Sequence, residues 1–147
     1  MDRRKFLQVT AAAATVSCSA PKKGWRFLTQ SEAETLGAIC EQLIPADQTP
    51  GARWAGVVQY IDRQLTRAFK KHQQTYRDGL SAARRIAGPD LAASLERDKN
   101  LKPFFDLVVA HTMQGFYGDP RHGGNRDYIS WQMLGVPTSP VRGRVVT

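Results

Sequence analysis

The chain has 147 residues, a formal net charge of +8 and an apolar fraction of 41%, which at 16.4 kDa is enough for one domain with a modest core. Its two cysteines, Cys18 and Cys40, exclude a disulfide framework and a cysteine-rich metal cluster. A pI near 9.9 leaves three kinds of partner open: nucleic acid, an anionic membrane surface and an acidic protein.

Residues 1–20 read as an address rather than as part of the fold. Arg3, Arg4 and Lys5 come first, then Phe6 and Leu7, then a mild apolar run from Val9 to Val16, then small residues up to Ala20. The run is too short and too rich in alanine to span a bilayer. The three parts make a signal peptide, and the paired arginines point to the twin-arginine route and so to the periplasm. That route carries folded cargo, so a chain with this address can take a cofactor-loaded partner with it. Cleavage is expected after Ala20, leaving a domain of residues 21–147. Lipidation at Cys18 is the alternative, with Thr15 standing where an aliphatic residue is preferred.

The remainder reads as helices. Thr29-Gln30-Ser31-Glu32 is a capping box, a hydroxyl residue followed three positions later by a glutamate. Leu36, Ile39, Cys40, Leu43 and Ile44 then repeat at helical spacing, until Pro45 pushes its predecessor out of helical angles. Cys40 on that stripe reads as a buried structural thiol. A second helix is expected from near Ala52, with Trp54, Val58, Ile61, Leu65, Ala68 and Phe69 inward and Asp62, Arg63, Arg67 and Lys70 largely outward. A break is expected near Lys71-His72-Gln73, where positive charge crowds, with Tyr76, Leu80, Ala83 and Ala87 on the next helix. A short helix over Leu91–Arg97 follows, then one from Pro103 to Gln114 or Gly115 with Phe104, Leu107, Val108, His111 and Thr112 inward. His111 there reads as a hydrogen-bonded core residue. No alternating run long enough for a core strand occurs. The expected fold is all-α: a small bundle of four or five helices with a glycine-rich C-terminal loop, a short turn at Tyr128–Leu134 and an extended tail.

The loop from Gly115 to Pro137 is the stretch around which the rest is organised. Gly118, Gly123 and Gly124 open backbone angles closed to other residues, and Asp119-Pro120 starts a turn. Around the turns stand Arg121, His122, Asn125, Arg126 and Asp127, with Phe116, Tyr117, Tyr128 and Trp131 alongside. A loop so dense in donors and aromatics either locks a fold or meets a partner, and both uses stay open.

In order along the chain, these pieces resemble the gluconate 2-dehydrogenase subunit 3 family, the small subunits of membrane-bound, flavin-dependent sugar dehydrogenases. The resemblance is carried by Leu43-Ile44-Pro45-Ala46-Asp47 with Thr49-Pro50-Gly51-Ala52, by Ala55-Gly56-Val57-Val58 and Tyr60-Ile61-Asp62-Arg63-Gln64-Leu65, and by Tyr76-Arg77-Asp78-Gly79-Leu80. It continues through Gly115-Phe116-Tyr117-Gly118-Asp119-Pro120-Arg121-His122-Gly123-Gly124-Asn125-Arg126 to Trp131-Gln132-Met133-Leu134-Gly135. Two departures are His122, where a tyrosine is common, and a short segment from Gly88 to Pro103. The resemblance implies a non-catalytic subunit that helps mature and export a large FAD-bearing partner of the glucose-methanol-choline oxidoreductase type, with a multihaem cytochrome c often taking the electrons onward. It implies no catalytic, cofactor-binding or metal residue in this chain, with FAD in the large subunit and haem c in a third, and it makes any membrane association indirect.

The residues alone offer little independent chemistry. His72, His111 and His122 make no HExxH and no i, i+4 pair, and no Cys-x-x-Cys-His occurs. Gly118 to Gly124 lacks the lysine of a phosphate loop. Two other functions remain as alternatives: a small periplasmic enzyme built on Asp119 and Asp127, and a basic nucleic-acid binder, though the positive charges are spread rather than clustered with stacking aromatics.

Overall fold

The computed structural model describes residues 24–138, all helix and turn. Six α-helices follow one another: α1 (Gln30–Leu43), α2 (Val57–Leu65), α3 (Gln73–Ile86), α4 (Leu91–Arg97), α5 (Lys102–Tyr117) and α6 (Ile129–Met133). Single 3₁₀ turns lie at Lys70–His72, Pro120–His122 and Arg126–Tyr128. The expected all-helical bundle is what forms, with α6 as the short C-terminal turn. The twin-arginine segment with Arg3, Arg4, Phe6 and Leu7, Cys18, and the tail from residue 139 onward with Arg142-Gly143-Arg144 lie outside the described residues.

The capping box starts α1. Thr29 Oγ1 accepts from the Glu32 amide at 3.3 Å, and the Glu32 carboxylate accepts from the Thr29 amide at 2.8 Å. Partial burial raises the Glu32 pKa, but the Arg77 guanidinium and the Thr29 amide outweigh it and hold the carboxyl below its usual range. The apolar stripe of α1 then buries Leu36, Ile39 and Cys40 completely. Burial of each large side chain stabilises the fold by roughly 1.5–3 kcal/mol.

Helix α5 is the hub, packing against α1, α2, α3, α4 and α6. It buries Phe104, Val108, His111, Thr112 and Phe116 among Ile61 and Leu65 of α2, Tyr76 and Leu80 of α3, and Leu95 of α4. Gly79 lets α3 approach α5 closely, because the Phe104 ring occupies the space a side chain would need. The break between α2 and α3 falls where charge crowding placed it, at the Lys70–His72 turn.

Three features of α2 differ from the sequence expectation; one is that the helix ends at Leu65, which leaves Ala68 beyond it and exposed rather than on the inner face. The helix begins at Val57, not near Ala52, because Gly56 adopts a left-handed φ of 79° and closes off the turns before it. Ala52 and Ala55 are buried in those turns, and Trp54 is thrown outward, 42% exposed, rather than joining the inner stripe. Asp62, expected outward, is buried. Its register explains this: it lies four residues after Val58 and three before Leu65, on the inner face. Helix α5 also runs two or three residues further than expected, to Tyr117.

Candidate functional site

The Gly118–Tyr128 loop leaves α5 at Gly118 and is folded back on the bundle by its own side chains. Asp119 accepts from the Arg121 amide at 3.0 Å and pairs with the Arg121 guanidinium at 2.7 Å. The Arg121 hydrogen bonds hold the Asp119 carboxyl below its ordinary value. Gly123, at φ 109°, closes this first turn. Arg63 of α2 reaches across to donate to the Arg121 carbonyl at 3.3 Å. The Arg126 amide donates to the Ala55 carbonyl at 3.0 Å, tying the far side of the loop to the turns before α2.

Asn125 is the inner pivot. It is fully buried, and Nδ2 donates to the Gly118 carbonyl at 2.9 Å while Oδ1 accepts from the Ser130 amide at 2.9 Å. One amide side chain thus joins the end of α5 to the start of α6. Trp131 Nε1 donates to the Tyr117 carbonyl at 2.8 Å, spanning the same gap from outside. Asn125, Asp127 and Tyr128 all adopt positive φ, at 46°, 53° and 57°. A left-handed non-glycine residue costs roughly 1–2 kcal/mol, so this conformation needs such surrounding bonds to persist.

The residues singled out from the sequence therefore divide. Phe116 and Asn125 are interior and cannot meet another molecule while the loop stays folded. Asp119 is half-buried and paired with Arg121, leaving the loop's other aspartate, Asp127, exposed beside Arg126. Tyr117, Arg121, His122, Arg126, Asp127 and Tyr128 face solvent, and Trp131 is half-buried. Tyr117, Tyr128, Met133 and Leu134 are large apolar side chains left open, Leu134 by 62%. Tyr117 and Tyr128 flank Trp131 as an aromatic rim: the Trp131 indole donates to the Tyr117 carbonyl and its ring lies 5.6 Å from that of Tyr128.

Sequence reasoning missed the α2 side of this assembly. Asp62 accepts from the Arg26, Phe27 and Leu28 amides at 2.7, 2.9 and 2.9 Å, fastening the segment before α1. Arg77 lies 4.0 Å over the Phe27 ring, donates to the Phe27 carbonyl and pairs with Glu32. The register of Asp62 was the available signal; its three partners are more than thirty residues away and left none.

Two buried polar groups belong to the core. Cys40 is a free, buried thiol 3.2 Å from Thr112 Oγ1, its pKa pushed up to about 12 by desolvation. His111 shares a 2.8 Å hydrogen bond with the Tyr76 hydroxyl and stacks on Phe69 at 3.7 Å. Burial, then the nearby His72, lowers its pKa to about 4. An unfolded histidine titrates near 6.5, so the unfolded chain takes up this proton first. Stability is then fullest above about pH 6.5 and falls as pH drops toward 4, by up to about 1.4 kcal/mol per unit. Urea melts from pH 7 to 5 should show this slope, and His111→Gln should flatten it. Equal slopes in both proteins would assign the loss to other groups.

Among the described residues no group of three His, Cys, Asp or Glu could hold a metal ion, and no helix is long and apolar enough to cross a membrane. No curated protein and no solved structure matches the chain. A family model described as gluconate 2-dehydrogenase subunit 3 matches residues 30–95 and 85–137, which takes in all six helices and the whole loop. The chain belongs to the gluconate 2-dehydrogenase subunit 3 family.

Proposed function

We propose that this chain is a non-catalytic subunit of a periplasmic, FAD-dependent sugar or sugar-acid dehydrogenase, stabilising the flavoprotein subunit and carrying it through the twin-arginine route. The observation that carries the proposal is family membership across residues 30–137, in a family described as a subunit of a dehydrogenase. The exposure of Tyr117, Tyr128, Met133 and Leu134 along the loop and α6 supports it, because large apolar side chains left open to solvent favour a partner. Tyrosine, tryptophan and arginine also dominate interface energetics, and the loop presents all three. The export half rests on Arg3-Arg4 ahead of Phe6 and Leu7.

In this reading FAD sits in the large subunit, and a multihaem cytochrome c takes the electrons onward. This chain supplies the address and a fitted surface.

Replacing Arg3-Arg4 by Lys-Lys should strand both this chain and its flavoprotein in the cytoplasm. Fractionation followed by a dye-linked dehydrogenase assay reads the result. Undiminished periplasmic activity in that variant would sink the escort role. A tagged copy should bring down a yellow, FAD-containing protein; recovery of the tagged chain alone from an active extract would sink the subunit role.

A further inference from the structure

A second face, built from the segment before α1 and from α2, carries features that the loop rim does not. Two shallow hollows lie side by side there and share Trp25 and Gln59. One continues to Arg26 and Arg63, the other to Arg53. Beyond Gln59 the face runs across Gly56 to the Arg126 guanidinium, which lies over the Trp54 ring at 5.6 Å. Four arginines and two tryptophans thus share one surface, and Trp54 is 42% exposed.

The guanidiniums on this face are unpaired. Arg26, Arg53, Arg63 and Arg126 form no ion pair among the described residues, whose three salt bridges are Arg77–Glu32, Lys102–Asp106 and Arg121–Asp119. The carboxylates near them make other contacts. Asp62, which lines the same hollow as Arg26 and Arg63, accepts from three backbone amides. Glu41 accepts from the Ala46 and Arg53 amides. Glu34 accepts from Gln30, and Asp127 is exposed beside Arg126. The guanidiniums are also partly positioned: Arg53 Nε donates to the Gly37 carbonyl at 3.2 Å, and Arg63 is held by the Arg121 carbonyl. Such anchoring leaves donors free and lowers the entropy lost when a carboxylate arrives.

We propose that this arginine–tryptophan face binds an acidic segment of a protein partner, its carboxylates taken by Arg63 and Arg126 and its flanking apolar groups by Trp25 and Trp54. The proposal extends the subunit reading by giving the partner a chemistry and a place, but the face can be tested without it. A polyglutamate peptide is the probe for the full chain, read by titration at low and moderate salt. Arg63→Gln with Arg126→Gln should weaken binding by at least about ten-fold, since two charge contacts are lost. Lys70→Gln with Lys71→Gln removes the same charge from an exposed turn and should change binding by less than about two-fold. Arg63→Lys with Arg126→Lys keeps the charge but not the guanidinium fork and should restore part of the affinity, which a folding defect would not.

Equal losses in the glutamine pairs would mean attraction by net charge alone and overturn the proposal. So would the same arginines binding phosphatidylglycerol vesicles in preference to the peptide. In cell extracts the two readings separate. A flavoprotein that co-purifies equally, and with equal salt resistance, with the wild-type and Arg63→Gln/Arg126→Gln chains overturns the acidic-segment proposal and leaves the subunit reading standing. Wild-type chain that binds polyglutamate through these arginines but recovers no flavoprotein overturns the subunit reading alone.

Discussion

Gly124→Ala should be among the most damaging single substitutions in the domain, lowering stability by about 3 kcal/mol or more. The backbone angles of Gly124 are not the reason, since its φ is not among the positive values. The reason is space: an added Cβ would run into the carbonyl, carbonyl carbon and Cα of Gly115. That obstacle is the main chain of the last turn of α5, which cannot step aside as a flexible side chain can. Behind it, Gly115 is itself pressed against the Tyr60 ring of α2. The loop, α5 and α2 are therefore stacked without room for even a methyl group. Gly135→Ala gives the comparison, because Gly135 has a positive φ of 65° but open space around it. It should cost only the strain of a left-handed alanine, about 1 kcal/mol. Urea melts of the two variants would order them. A Gly124→Ala protein within about 0.5 kcal/mol of the parent would show that the loop can lift off α5 freely, and the rim beside it would lose its fixed shape.

The bundle followed from the sequence where the signal was local. The capping box, the stop at Pro45, the charge-crowded break at Lys70–His72 and the helix after Pro103 each depend on neighbours within a few residues. The buried roles of Cys40 and His111 followed from their helical stripes. The start of α2 was misplaced because Trp54 has the right spacing for the stripe, while the conformation of Gly56 overrides it. In the loop, the dense turn chemistry was plain from Gly118, Gly123 and Asn125, but their division of labour was not. Asn125 is a core residue and Arg126, next to it, is a surface one; only the partners Gly118, Ser130 and Ala55 decide that. The arginine face was hidden for the same reason. Arg26, Arg53, Arg63 and Arg126 span a hundred residues of sequence, and folding alone makes them neighbours.

Asp62→Ala tests the contact that fixes where the N-terminal segment joins the body. The carboxylate takes the amides of Arg26, Phe27 and Leu28, the last of them buried. Hydrogen bonds to a charged acceptor contribute roughly 1.5–3 kcal/mol each, though such contributions do not add. Removing the acceptor leaves the Leu28 amide without its partner next to an apolar core, so a loss of about 3 kcal/mol is expected. Asp62→Asn should recover little of it, because an amide keeps one acceptor oxygen and turns an NH₂ group toward a backbone donor. Asp78→Ala, on an exposed position of α3, should change stability by less than about 0.5 kcal/mol. A local readout separates fraying from global unfolding: Arg26 is exposed, and trypsin should cut after it sooner once its neighbours are released. Arg77 holds the same segment from the other side, through the Phe27 carbonyl and ring. The two sites should therefore couple, and Asp62→Ala/Arg77→Ala should cost less than the sum of the single changes, since either one alone already loosens Phe27. Strict additivity, with tryptic cutting after Arg26 unchanged in Asp62→Ala, would mean that the segment is held by the burial of Leu28 and not by the carboxylate.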